Sequence, residues 1–277
     1  MTTLLDHEAL PDDLPQLRPE LPRSVGLGSR LTLPALSAAA GAGVAFALAP
    51  APQTGLTGAV VGAALITALA ANWSTCGMSV AGVVVAPKQP GRRGSSTPVR
   101  RLGWHALGSV GTGAVTGALL GAFGGLALGF VPIGLLLGAW AVLAVAYGLH
   151  ELGLLSLPTP MRRQQLPRHL RRSAEPWKVS LLFGAIIGPG FLIFIRSSAY
   201  YLLVLGVAAI GSPALGAALF TTVSLGRCLP SALAVLHTRR GGSMPGFLSL
   251  MCLVDRRVQV LTGAVLVGLG AFAALAL

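Results

Sequence analysis

Long apolar runs separated by short basic segments dominate this sequence of 277 residues. One transmembrane helix needs about 20 consecutive apolar residues, and most of the runs reach or exceed that length. Lipid offers the backbone no hydrogen-bond partner, so each run must satisfy its own peptide groups as a helix. The sequence therefore predicts an all-α polytopic membrane protein. The predicted apolar segments are Leu31–Pro50, Gly55–Pro87, Trp104–Gly129, Ile133–Leu149, Val179–Gly211, Pro213–Leu236 and Val258–Leu277.

The composition favours a bilayer over water as the solvent of the folded chain. Hydrophobic residues make up 53% of the sequence and charged residues only 10%, with a mean hydropathy of +0.75, whereas a soluble domain carries about 25% charged residues. The net charge of +12 comes from basic residues in short loops. That pattern is typical of membrane topology and argues against nucleic-acid binding. Three cysteines, an odd number, do not indicate a disulfide scaffold.

The basic loops also predict the orientation of the chain. The segments 88–101, 150–178 and 238–257 carry clusters of Lys and Arg and are expected on the cytoplasmic side. Residues 1–30 are acidic and proline-rich, lack the features of a signal peptide, and are expected to form a flexible cytoplasmic tail. We therefore expect one transmembrane domain, 31–277, with about seven transmembrane helices, in the cytoplasmic membrane of a bacterium. Its N-terminus is expected in the cytoplasm and its C-terminus outside.

Two of the apolar segments, 55–87 and 179–211, contain 33 residues each and are too long for one straight crossing. The first contains the polar run Asn72–Gly77 and the second the run Gly188-Pro189-Gly190, so a discontinuous helix is expected in both. Each is followed by two further spans, which predicts two three-helix repeats, the second inverted relative to the first, as in many transporters. The predicted repeats are 55–150 and 179–277, and the basic linker between them is 151–178.

Glycine recurs at every fourth position in the segment 104–129. On a helix this spacing places small residues near one face, where another helix can approach closely. The face is expected to pack against a helix of the same chain, or alternatively against a second copy in a homo-oligomer. The glycines concerned are Gly113, Gly117, Gly121, Gly125 and Gly129.

Two arginines, Arg196 and Arg227, lie within apolar segments, where a charge is costly and commonly marks a functional site. All eight acidic residues lie in the tail, in loops or at span ends, so neither arginine has a predicted carboxylate partner in the membrane core. Each arginine is therefore expected either to extend to the membrane interface or to face a cavity that binds an anion. The residues predicted to bind a substrate in the second case are Asn72, Gly188, Pro189, Gly190, Arg196 and Ser197.

Cys76 and Cys228, one in each predicted repeat, are the candidate catalytic residues of a redox pair. Arg227 adjoins Cys228, and a nearby guanidinium favours the thiolate, which is the reactive form of cysteine. The alternative is that each cysteine fills apolar space. Cys252 lies in a short apolar run suited to the membrane interface and is expected to be inert. The sequence contains neither a Cys-x-x-Cys motif nor a Cys/His cluster, so neither a metal nor another cofactor is expected. Histidines at span ends are expected to be interface anchors: His105, His150 and His237.

The layout of paired three-span units, with one membrane cysteine in each, resembles the CcdA/DsbD-type transmembrane thiol–disulfide electron carriers. The runs Cys228-Leu229-Pro230 and Gly188-Pro189-Gly190-Phe191 are similar to the Cys/Pro breaks of that family. The loop from Leu157-Pro158 through Pro167 is similar to uncharacterised actinobacterial membrane proteins of this general type. The resemblance implies that reducing equivalents pass from a cytoplasmic thioredoxin-like donor to an acceptor on the other side of the membrane.

The leading hypothesis is a membrane relay that exchanges thiols and disulfides at Cys76 and Cys228, with Arg227 supporting the thiolate and thioredoxin-like proteins as partners. A different class of function, a secondary transporter of a small anion such as a sulfur oxyanion, would use Arg196, Arg227 and the broken helix ends. A third hypothesis is a structural or assembly subunit that packs through its glycine faces. The lipid bilayer is a partner in all three, and whether the protein is an enzyme stays open.

Overall fold

The computed structural model describes residues 27–70, 73, 75–85, 97–158, 175–190 and 197–277, apart from the side chains of 27–30, 75, 76, 79 and 256. Within these residues the regular secondary structure is helical, as the sequence predicts. The helices are α1 (Leu27–Leu48), α2 (Pro52–Ala70), α3 (Thr75–Val85), α4 (Pro98–Leu128), α5 (Ile133–Glu151), α6 (Pro176–Ile187), α7 (Ser198–Ile210), α8 (Pro213–Arg239) and α9 (Met244–Leu275).

Six of the described helices are long and apolar enough to cross a membrane: α1, α2, α4, α5, α8 and α9. The outer surface carries large apolar side chains that are almost fully exposed, such as Phe46 (89%), Leu126 (85%) and Phe130 (82%). Such exposure is costly in water but suits hydrocarbon. These features fit a multi-pass membrane protein. Helix length does not confirm the predicted count of about seven crossings, because α6 and α7 contain only 12 and 13 residues.

Both 33-residue segments are interrupted at the places where the sequence predicts a break. α2 ends just before, and α3 begins within, the polar run Asn72–Gly77. α6 ends directly before the run Gly188-Pro189-Gly190. Gly190 has a φ of +83°, a left-handed conformation that favours glycine. This run therefore ends α6 inside the segment instead of allowing one helix to continue through it.

The prediction of a loop over 238–257 is wrong. α8 extends into this segment, and α9 then runs without interruption for 32 residues. A helix cap explains the early start of α9, because the Ser243 side chain accepts a hydrogen bond from Gly246 N at 3.3 Å. Pro245 lies in the first turn, where the missing N–H of proline costs no helical hydrogen bond.

The start of α4 follows the same rule. α4 begins at Pro98, inside the predicted loop 88–101, and the Thr97 side chain accepts a hydrogen bond from Arg100 N at 3.3 Å. The Thr-Pro pair therefore acts as a helix start rather than as part of a loop. As a result α4 is 31 residues long and carries its first arginines on the helix.

The glycine face of α4 packs against α8, and the two helices run antiparallel. Gly113 lies beside Phe220 and Ser224, whereas Gly117 lies beside Gly216. A Cβ atom on Gly117 would overlap Gly216 O, so only glycine permits this approach. The face is occupied within one chain, as the first alternative predicts, and this packing gives no support to a homo-oligomer through the same face. The glycines so occupied are Gly113, Gly117, Gly121 and Gly125.

The remaining contacts place the α6 end inside the bundle. α6 runs parallel to the first half of α4, with Gly184 beside His105 and Gly188 beside Thr112. The end of α6 is therefore level with the middle of α4. α7 packs against α2, α4 and α5, while α9 packs against α1, α2 and α5. α6 thus ends at Ile187 among helices that are long enough to span the bilayer.

Candidate functional site

Arg227 lies in the interior of the bundle, on α8, with 1% of its surface exposed. Its Nη1 atom donates hydrogen bonds to Ile187 O at 2.6 Å and to Gly188 O at 3.4 Å. Both carbonyls belong to the C-terminal end of α6. The guanidinium therefore joins α8 to the point at which the α6–α7 element is interrupted.

The end of α6 supplies what a buried cation needs. The last four carbonyls of an α-helix have no partner within the helix, and the helix macrodipole places roughly half a negative charge there. A hydrogen bond to a charged group contributes about 1.5–3 kcal/mol. Arg227 is therefore stabilised by backbone oxygens in place of a carboxylate. The alternative that Arg227 extends to the membrane interface is wrong, because its side chain is buried in the bundle.

Tyr200 completes the surroundings of the guanidinium. The Arg227 Cζ atom lies 4.9 Å from the centroid of the Tyr200 ring, a cation–π geometry. The Tyr200 hydroxyl donates a hydrogen bond to Pro189 O. Because Tyr200 lies in the first turn of α7 and is 1% exposed, it connects the start of α7 to the chain that follows α6.

Glu151, the last residue of α5, holds the other side of the interruption. Its Oε1 atom accepts a hydrogen bond from Ser198 N at 2.6 Å, and its Oε2 atom accepts one from Gln259 Nε2 at 3.2 Å. The carboxylate is 6% exposed and lies at the positive N-terminal end of α7, where an anion is stabilising by about 1 kcal/mol. Glu151 lies at a span end, as the sequence indicates, but its carboxylate is buried and binds the start of α7.

The two sides of the interruption thus carry matched charges. A cation, Arg227, meets the negative end of α6, and an anion, Glu151, meets the positive end of α7. Discontinuous helices in membranes require partners for the backbone groups that they leave open. Here side chains from α5 and α8 provide these partners.

The first interruption, between α2 and α3, lies next to the same part of α8. A Cβ atom on Gly226 would overlap Ala68 O, which belongs to the last turn of α2. Gly226 therefore allows α8 to contact the end of α2 closely, while its neighbour Arg227 contacts the end of α6. Residues 226–227 join the C-terminal ends of two helices that stop within the bundle.

A buried polar row leads along α4 toward this region. Arg101, His105 and Ser109 are 4%, 0% and 0% exposed and recur at every fourth position. Ser180 of α6 and Ser224 of α8 are also fully buried beside α4. The expectation that His105 anchors the membrane interface is wrong, because its side chain is fully buried beside α6.

Of the two cysteines of the predicted relay, only Cys228 has a described side chain. Cys228 is 8% exposed, and its Sγ atom donates a hydrogen bond to Ser224 O at 3.3 Å. Adjacent residues on a helix project about 100° apart, and the Arg227 guanidinium binds the α6 end rather than the Cys228 sulfur. Cys76 lies in α3, but its side chain is outside the described residues.

Of the remaining predicted site residues, the structure describes four and leaves two undescribed. Gly188, Pro189 and Gly190 lie at the Arg227 and Tyr200 contacts described above. Ser197 is the N-cap of α7, without a hydrogen bond from its side chain to the helix. Asn72 and Arg196 lie outside the residues that the structure describes.

Known proteins resemble this chain over most of its length. The methylamine utilization protein MauF of Paracoccus versutus is 33% identical over 246 residues, which cover 88% of each chain. The chain belongs to the MauF family. MauF of Paracoccus denitrificans is 34% identical over 227 residues (80% of this chain, 79% of the relative), and MauF of Methylobacillus flagellatus is 31% identical over 224 residues (78% and 77%). No family model and no solved structure matches the chain.

Membership of the MauF family overturns the predicted family and function. The relatives are named for methylamine utilization, so the resemblance to CcdA/DsbD-type carriers is wrong, and so are the thiol–disulfide relay and the anion transporter derived from the sequence. Thioredoxin-like partners were expected only because of the relay, and the name of the relatives gives no support for them. Paired three-span units with a cysteine in each describe an architecture, and architecture alone does not determine function.

The sequence analysis did not identify three residues of the candidate site as site residues: Glu151, Tyr200 and His105. A usable signal exists for His105, because Arg101, His105 and Ser109 continue the four-residue spacing of the glycines toward the N-terminus of α4. The inward position of Glu151 has no comparable signal, since a carboxylate at a span end is usually exposed to water.

Proposed function

We propose that this chain is a multi-pass protein of the bacterial cytoplasmic membrane that serves methylamine utilization, as the name of its MauF relatives states for them. The observation that carries the proposal is identity of 33% over 88% of both chains. A match of this extent includes the helices around Arg227 as well as the lipid-facing spans. It therefore concerns the whole membrane domain rather than one shared segment.

The proposed topology has seven crossings, with the N-terminus in the cytoplasm and the C-terminus outside. Three observations support it: α4 and α8 are antiparallel, α6 is parallel to α4, and α7 reaches the far end of α4, where Ala208 contacts Gly124. In this proposal α6 and α7 form one interrupted crossing, as α2 and α3 do. The test is to fuse after Leu277 a reporter enzyme that is active only outside the cytoplasm. The proposed topology predicts an active fusion, and an inactive fusion at normal protein levels would contradict it.

The proposed domain arrangement keeps the two inverted repeats, 55–150 and 179–277, with the linker 151–178. Each unit contains an interrupted element followed by two long helices. The corresponding long helices of the two units pack on each other, α4 on α8 and α5 on α9. Such pairing is what a pseudo-two-fold axis in the membrane plane would produce.

The proposed functional centre is the region around Arg227, with Gly188, Pro189 and Gly190 as its backbone component. A buried arginine inside a membrane domain is costly and commonly functional, and this one contacts one helix interruption directly and lies beside another. Its role in the proposal is to hold the interrupted helices in the arrangement that the membrane step of methylamine utilization requires.

Deletion of the gene from the organism that encodes the chain tests the proposed function. The expected result is loss of growth on methylamine and normal growth on an unrelated carbon and nitrogen source, with growth restored by a plasmid copy. Unimpaired growth of the deletion strain on methylamine would overturn the proposal.

A further inference from the structure

The buried face of α4 carries a row of polar side chains at positions where apolar residues would also fill the space. Arg101, His105 and Ser109 lie on one face at intervals of about 6 Å along the helix axis. At the next position, Gly113 has no side chain, and Ser224 Oγ of α8 occupies the place that a Cβ atom would take. A hydroxyl from the neighbouring helix therefore supplies the fourth polar group of the row.

Several of these groups have no protein partner. The hydroxyls of Ser109 and Ser224 are fully buried and form no hydrogen bond with any described residue. The His105 ring lies beside the Ser180 backbone, but neither of its nitrogens has a partner at hydrogen-bond geometry in the described part of the chain. A buried polar group without a partner costs about 1–3 kcal/mol, so three such groups in succession indicate a bound molecule.

The chemistry of the row identifies that molecule as small and neutral. Arg101 and Arg227 lie near its two ends and disfavour a free cation. Hydroxyl and imidazole groups need a partner that both donates and accepts hydrogen bonds. Water both donates and accepts, and one water molecule joins two such groups through two hydrogen bonds of about 2.8 Å each.

The row is closed at its far end. Beyond Ser224, α4 and α8 are in direct backbone contact, because Gly117 lies against Gly216 and Gly121 lies against Ser212. A water molecule needs a cavity of roughly 10–15 Å³ and at least two polar partners. The glycine contacts beyond Ser224 offer neither, so the row of polar groups ends at Ser224.

We propose that water molecules bridge His105, Ser109 and Ser224, forming a hydrated seam between α4, α6 and α8 that ends beside the α6 interruption held by Arg227. The seam is a binding site for water within the membrane domain. This proposal does not depend on the role of the chain in methylamine utilization, and its tests use the purified full-length protein.

Single alanine substitutions distinguish a hydrated seam from a dry one by thermal unfolding. If water bridges the hydroxyls, Ser109→Ala and Ser224→Ala each remove hydrogen bonds and lower the Tm by roughly 2–4 °C. Ser180→Ala gives the reference effect, because Ser180 is fully buried and its hydroxyl donates to Pro176 O at 3.0 Å. An unchanged or higher Tm for both variants would overturn the proposal, since alanine removes an unsatisfied group from a dry site at no cost.

Radiolytic hydroxyl labelling of the wild-type protein gives an independent test that requires no variant to fold. Radicals formed from bound water oxidise the reactive side chains beside it. The expected result is oxidation of His105 despite its complete burial, with no oxidation of Met251, an equally buried and intrinsically reactive residue in an apolar cluster with Ala81, Ala234 and Phe247. If His105 is as protected as Met251, the seam is dry and the proposal fails.

Discussion

The two halves of the buried face of α4 follow the same four-residue spacing but pack in different ways. In the first half the row consists of Arg101, His105 and Ser109, and the neighbour is α6. In the second half it consists of glycines, and the neighbour is α8 at backbone contact. Arg227 lies near the boundary, one helical turn along α8 from Ser224.

This difference teaches how one helix can combine a rigid seam with a polar interior. Removal of every Cβ allows two backbones to approach until no water remains between them. In the first half α6 also reaches backbone contact with α4, because Gly184 and Gly188 of α6 lie against the backbone of α4. The polar side chains of the α4 row are nevertheless buried there and must be hydrogen-bonded. The position at which glycine replaces polar residues therefore decides where the polar interior ends.

The largest expected effect comes from the glycine half. Gly117→Ala would place a methyl group onto Gly216 O, so α4 and α8 must separate and the free energy of unfolding should fall by about 3 kcal/mol or more. The control is Gly111→Ala on the same helix, where a Cβ meets no atom within 4 Å. The control should be neutral or stabilising by up to about 1 kcal/mol, because alanine is the better helix former.

Thermal unfolding in detergent measures the stability of both variants. Equal stability of Gly117→Ala and Gly111→Ala would contradict the close backbone contact between α4 and α8.

The next effect concerns Arg227 at the boundary. Arg227→Met removes the hydrogen bonds to Ile187 O and Gly188 O, and we expect a loss of about 1.5–3 kcal/mol. Arg239→Met, an exposed arginine on the same helix, provides a matched control and should change stability by less than about 0.5 kcal/mol. If the two methionine variants unfold alike, Arg227 does not stabilise the α6 end.

Glu151 should show a smaller effect. Glu151→Gln keeps an oxygen that can accept from Ser198 N but removes the negative charge at the start of α7, which should cost about 1 kcal/mol. Glu175→Gln is the comparison, because Glu175 also precedes a short helix, α6, but is exposed and makes no cap hydrogen bond. Its exposed ion pair with Lys178 at 3.4 Å contributes little. A larger loss for Glu175→Gln than for Glu151→Gln would contradict the assignment.

An expected effect of similar size separates the two contacts of Tyr200. Tyr200→Phe keeps the aromatic face under Arg227 but loses the hydrogen bond to Pro189 O. The expected loss is about 1 kcal/mol, measured by the same unfolding assay. Tyr200→Leu also removes the ring face and should cost more than the phenylalanine variant; the reverse order would show that the ring contact is not stabilising.

Part of this fold can be predicted from the sequence because lipid restricts the options. Long apolar runs must be helices, polar or Gly-Pro runs inside them must interrupt those helices, and a glycine every four residues indicates close packing. These rules place the ends of α2 and α6 and the packing face of α4. They fail over 238–257, where charged residues suggest a loop although Ser243 starts a long helix.

The site itself depends on contacts between distant parts of the chain. Arg227 and Ile187 are separated by 40 positions and Glu151 and Ser198 by 47, and no local pattern indicates either pair. The sequence therefore identifies Arg227 as costly but does not reveal that helix ends stabilise it. The family could be identified only by comparison with relatives, because many unrelated membrane proteins share the predicted layout.

Growth on methylamine provides the most direct test of the claim that Arg227 lies at the functional centre of a methylamine utilization protein. The deletion strain receives the wild-type chain, Arg227→Met or Arg239→Met, and growth is compared at equal amounts of protein in the membrane. The account predicts that wild type and Arg239→Met restore growth while Arg227→Met does not. Full restoration of growth by Arg227→Met, or a deletion strain that needs no restoration, would contradict it.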